Sequence, residues 1–153
     1  MKLTAWRIAN KKHADSLFSG EGAELYGGRF NSPGAKVVYT SASLSLALLE
    51  LLVQGGPKDR LSELVCAQVT FASRLVAELG EDDLQEGWNS RPPGSISQSV
   101  GDKWLSQDKT PVLRIPSVVV PGEFNYLLNP LHAKFGAISI GSVRGITIDE
   151  RLI

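Results

Sequence analysis

The sequence predicts an α+β fold in one compact domain spanning residues 1–153, and three observations carry that prediction. Short runs rich in β-branched and aromatic residues recur along the chain, one strongly apolar stretch at 43–54 has helical length, and no repeat, low-complexity tract or convincing linker divides the sequence. A chain of this size buries roughly two-thirds of its unfolded surface and needs no disulfide or metal staple.

The elements follow in order. LTAWRIA (3–9) reads as a strand and KKHADSLF (11–18) as a helical turn, ended by the glycines of SGEG in a glycine-rich bend. GGRFNSPG (27–34) clusters strong turn formers around one arginine, so it is a shaped loop. KVVYTS (36–41) is a strand by composition. SLSLALLELLVQ (43–54) is apolar on nearly every side and should be a central helix, capped by Ser41 or Ser43 and stopped by Gly55, Gly56 and Pro57. LVCAQVTF (64–71) is a strand, EDDLQEGW (81–88) a short acidic helix, 90–97 a loop, and about 97–107 a helix. PVLRIPSVVVP (111–121) reads as two extended pieces joined at Pro116, which cannot donate a ladder hydrogen bond. NYLLNPLHAKF (125–135) is broken by Pro130, and AISIGSVRGITID (137–149) supplies one or two closing strands, for about six in all.

Composition narrows the function. With 42% hydrophobic and 21% charged residues the chain is ordinary globular, and 16 basic residues balance 16 acidic ones, so there is no basic surplus for direct nucleic-acid binding. Cys66 is the only cysteine and His13 and His132 the only histidines, so neither an internal disulfide nor a zinc site is expected. No secretory signal and no apolar run of about 18 residues is present, which predicts a cytoplasmic protein without a membrane span.

Several residues look chemical. Glu50 is the only charge between Lys36 and Lys58 and lies inside the apolar helix, near a C-terminus whose dipole opposes it. It is either a functional carboxylate or the helix's one wet position. Arg29, flanked by glycine, can grip a phosphate or carboxylate in a bidentate fork, or simply bind a backbone carbonyl. Tyr39 can stack on a flat ring or belong to the core. Ser117 is the polar residue out of place before a valine run, and a satisfied hydroxyl is its plain alternative; His132 is a ligand contact or a structural imidazole. SGEGAELYGG lacks the preceding strand and spacing of a dinucleotide turn, and no serine sits in a GxSxG elbow.

These segments together resemble the RES domain family. The matches run through most of the chain: WRIA (6–9), SGEGA (19–23), GGRFNSPG (27–34), VVYTS (37–41), LALLE (46–50) and IPSVVVPGEFNYLLNP (115–130). The departures are Phe30, where tryptophan is more frequent, and Ala133, where proline commonly follows the histidine. The resemblance implies a fold similar to ADP-ribosyltransferases, with split β-sheets around a cleft. It implies a toxin that destroys NAD at the nicotinamide–ribose bond, by hydrolysis or phosphorolysis, with NAD as substrate and no cofactor. Arg29, Tyr39, Glu50 and Ser117 carry over as the catalytic set, and Arg7, Arg29, Tyr39 and Asn129 as NAD-binding residues. An Xre-type helix-turn-helix antitoxin is the implied partner, in a complex that can contain a toxin homodimer. Transfer of ADP-ribose to a protein and an inactive partner-binding module are the alternatives.

Overall fold

The computed structural model describes residues 1–54 and 63–152. Along the chain run β1 (Lys2–Asn10), α1 (Glu21–Tyr26), β2 (Val38–Ser41), α2 (Leu44–Val53), β3 (Leu64–Ala72) and β4 (Val76–Glu78). There follow α3 (Ser95–Gln107), β5 (Val112–Pro116), β6 (Phe124–Leu128), β7 (Ser139–Ile140) and β8 (Arg144–Ile146). The class is α+β, as expected, although the described residues hold eight strands rather than about six, because the closing segment divides in two and Val76–Glu78 adds an edge.

The strands form one curled path, β4-β5-β6-β2-β1-β3-β7, with β8 also on β3; only β4 and β5 are parallel. β1 pairs with β3 from Lys2–Ala72 to Asn10–Leu64, but with β2 only at Trp6–Ser41. The sheet is therefore two wings joined by a single rung. Alternation decides the faces. Val38, Val69, Phe71, Val112, Tyr126 and Leu128 point into a core shared by both wings. On the other face α3 sends Trp104 against Leu113 and Leu127, while α2 packs on Ile8, Leu64 and Cys66.

Local chemistry explains the boundaries. Ser43 rather than Ser41 caps α2, its Oγ accepting the Leu46 N–H at 3.1 Å. The stop assigned to Gly55, Gly56 and Pro57 lies outside the described residues, and the Gln54 N–H closes the helix onto Leu51 and Leu52. The helix is not covered on nearly every side: Leu49 and Val53 are 40% and 63% exposed, because a helix laid on a sheet buries one flank. The bend expected at SGEG is instead the entry to α1, with Gly20 (φ 78°) before it and Gly27 (φ 73°) after it in conformations that favour glycine. The acidic helix at 81–88 contracts to one 3-10 turn at Glu81–Asp83, closed by the Asp83 carboxylate on the Gly80 N–H. The second extended piece of 111–121 does not form, because the Ser117 hydroxyl accepts the N–H groups of Val119 and Val120 and curls the chain into a turn.

Candidate active site

Trp6, Tyr39, Ser41 and Asn125 share the helix-bearing face where the two wings meet, since Ser41 is paired with Trp6 on one side and Asn125 on the other. α2 lays Glu50 over them. The result is a small cleft lined by these residues, by Arg7 and by Gln54. A larger open depression beside Asn10, Lys11, Lys12 and Glu63 contains none of the residues singled out above.

Glu50 is half-buried, and its Oε1 accepts two hydrogen bonds of 2.7 Å, from Ser117 Oγ and Asn125 Nδ2. No cation among the described residues lies within salt-bridge distance of it. Neither a wet position nor an ion pair describes it; two neutral donors hold one oxygen and leave Oε2 without a protein partner among the described residues. Ser117 is committed to this arrangement. Its oxygen accepts the N–H groups of Val119 (3.0 Å) and Val120 (3.1 Å), which leaves its own proton for Glu50.

Tyr39 joins the cleft to the arginine loop. Its hydroxyl donates to Asn31 Oδ1 at 2.6 Å and accepts the Phe30 N–H at 3.1 Å, and burial pushes the phenol well above its ordinary range. Arg29 lies on that loop, and its Nη1 donates to the carbonyls of Trp88 (3.2 Å) and Ser90 (2.9 Å), so the carbonyl-binding reading holds for this nitrogen. Partial burial lowers its pKa, and the neighbouring Glu50 charge works in the opposite direction. Arg7 fills the gap where β1 and β2 part: Nε donates to Leu17 O at 2.6 Å and Nη1 to Tyr39 O at 3.0 Å. Removed from water, this guanidinium is pushed down to about 10.

Arg7, Tyr39, Glu50 and Ser117 thus come together, with Arg29 at the rim of the cluster. Asn129 does not. It lies four residues beyond Asn125, roughly 13 Å along the strand direction, where its Oδ1 accepts the Leu131 N–H in a turn and its own N–H binds Pro111 O. Its place is at the opposite end of β6, in a turn-forming role that the Pro130 break requires. His132 is also remote and structural: Nδ1 accepts the Lys134 N–H at 2.9 Å, so Nε2 carries the proton that faces Asp108 O at 3.1 Å.

Sequence reasoning missed Asn125 and the support of the arginine loop. Gln98 Nε2 donates to Gly28 O at 3.3 Å, and the Asp102 carboxylate accepts the Ser32 N–H (2.9 Å) and hydroxyl (2.6 Å). Between them Gly101 lets the loop touch the helix, since a Cβ there would lie 1.6 Å from Phe30 O. The signals were available: a glycine inside a helix flanked by polar residues at helical spacing, and an amide on the same strand face as Leu127. Among the described residues no group of three or more His, Cys, Asp and Glu side chains is placed to hold a metal ion.

Fold and cleft define a split-sheet α+β protein organised around one hydrogen-bonded carboxylate and two arginines. The chain belongs to the RES domain family, which it matches over residues 4–149. It is 39% identical over 161 residues to the "Prs ADP-ribosylating toxin" of Sphingobium sp. (strain YBL2), covering all of this chain and 98% of that protein. It is 33% identical over 150 residues to a "Toxin Res" of Photorhabdus laumondii, covering 97% and 96% of the two chains. Among solved structures, a chain of the M. tuberculosis MbcT–MbcA toxin–antitoxin complex superposes with a TM-score of 0.76 over 99% of this chain and 87% of its own, at 18% identity, a likeness of fold.

Proposed function

We propose that this protein is the toxin of a toxin–antitoxin pair and that it depletes NAD by cleaving the nicotinamide–ribose N-glycosidic bond. The observation that carries the reading is Glu50, a carboxylate held on one oxygen by Ser117 and Asn125 with the other left for a ligand. Breaking this bond releases a neutral ring from a cationic one, so no general acid is needed, and a ribosyl cation develops that a fixed carboxylate stabilises. Glu50 holds the ribose and faces that charge. Arg7 and Arg29 provide the positive field for the pyrophosphate, and the Tyr39 ring packs beside the nicotinamide while its hydroxyl holds the loop. Ser117 acts through Glu50. Water or phosphate completes the reaction, and no cofactor takes part.

Relatives named as toxins support this reading, and a fold shared with a toxin–antitoxin complex supports an antitoxin partner, which we propose to be of the Xre helix-turn-helix type. Transfer of ADP-ribose to a protein is a second reading, favoured by the name of the 39% identical relative, an ADP-ribosylating toxin. Purified protein incubated with labelled NAD, with inorganic phosphate and a host protein extract supplied as acceptors, separates the two. Nicotinamide with free ADP-ribose or its phosphorylated form is expected; label retained on protein would assign a transferase, and undiminished NAD would exclude both.

A further inference from the structure

Asn125 is half-buried at the cleft, and its amide oxygen is held at a cost that the fold does not require. Its Nδ2 binds Glu50 Oε1 at 2.7 Å, but its Oδ1 is shielded from solvent with no hydrogen-bond partner among the described residues. The amide cannot turn over to relieve this, because Oδ1 would then face a carboxylate oxygen, two acceptors in contact. An orphaned buried carbonyl destabilises a fold, and an apolar side chain of similar shape avoids it. The next three residues of the strand, Tyr126, Leu127 and Leu128, are indeed buried and packed in the cores.

We infer that Asn125 is a positioning residue for Glu50, an inference that rests on the carboxylate role proposed above. Its backbone is fixed on both sides, opposite Ser41 of β2 and Ile115 of β5. Ser117, two residues beyond Ile115, arrives from the neighbouring turn. Both donors meet Oε1, so the carboxylate cannot rotate about its last bond without losing them, and Oε2 is the oxygen presented to the ribosyl cation. Ser117 alone would oppose that rotation with one hydrogen bond in place of two.

The test compares wild type, Asn125→Ala and Asn125→Asp, measuring kcat and KM for NAD, the pH dependence of kcat, and melting temperature. A hydrogen bond to a charged group is worth a factor of about 10 to 100. Asn125→Ala is expected to lose that much in kcat, with KM changed less than about twofold. Asn125→Asp has the same shape but no donor, and two carboxylates at this distance share a proton. Its kcat should therefore climb with pH through a limb that wild type lacks. A residue that only supports the fold would lower the melting temperature and the folded fraction, leaving kcat per folded molecule and the pH profile as in wild type; that result overturns the assignment. Should Asn125→Ala be insoluble, the isosteric Asn125→Asp decides alone. If wild type itself leaves NAD intact, the proposed function fails; if wild type cleaves NAD and both variants match it, only the role of Asn125 does.

Discussion

Glu50 occupies the last turn of α2, where the helix dipole disfavours an anion, and two short hydrogen bonds offset that cost. Gln at this position keeps an acceptor for both donors and strands no cation, since none of the described residues forms a salt bridge with Glu50. Glu50→Gln should therefore lower kcat for NAD cleavage by roughly 10²- to 10³-fold, the scale of a single electrostatic stabiliser, with NAD affinity and melting temperature little changed. An active variant would remove the main support for the mechanism. Tyr39 gives a pH test at the same scale. Its folded phenol ionises above the ordinary value of 10.0, so the folded state keeps a proton that the unfolded chain loses. That stabilisation is present below pH 10 and is lost as pH rises through the folded pKa. Tyr39→Phe should flatten the alkaline fall in stability measured by denaturant titration from pH 9 upward.

At the scale of elements, α3 is the platform of the arginine loop, because Gln98, Gly101 and Asp102 lie on one helical face and meet Gly28, Phe30 and Ser32. Gly101→Ala forces the helix and loop apart. A loss of about 1–3 kcal/mol from overpacking is expected, with KM for NAD raised more than kcat is lowered, since Arg29 moves while Glu50 stays. Gly22 is the control: it is helical in α1 and a Cβ there meets nothing within 4 Å. Gly22→Ala should raise stability by about 0.5–1 kcal/mol, read as a higher denaturant midpoint with unchanged NAD cleavage. A propensity argument treats the two glycines alike; the neighbouring backbone makes them opposite.

Across the whole molecule, the two wings depend on the Trp6–Ser41 rung and on Arg7, whose guanidinium ties Leu17 O to Tyr39 O across the gap. Lysine keeps the charge but not the planar fork that reaches both carbonyls. Arg7→Lys should lower the melting temperature by about 2–4 °C for each 1 kcal/mol lost and weaken inorganic pyrophosphate binding, seen as a smaller thermal shift at saturating pyrophosphate. An unchanged thermal shift would count against an anion-binding role for Arg7.

The sequence by itself determined the α+β class, the core strands, the apolar helix with its one carboxylate, and the family, because each rests on local periodicity or on an ordered set of motifs. Arg7, Tyr39, Glu50 and Ser117 could be named from those motifs. Their relations could not. That Ser117 donates to Glu50 depends on a turn where local composition predicts an extended piece, and the distance of Asn129 from the cleft depends on strand register. Asn125 and the α3 platform were decided only by tertiary structure, since each acts on a partner about 70 residues away in sequence. Periodicity fixes which face a side chain takes, but which distant groups meet on that face is set by the pairing of β6 between β2 and β5 and by the packing of helices onto the finished sheet.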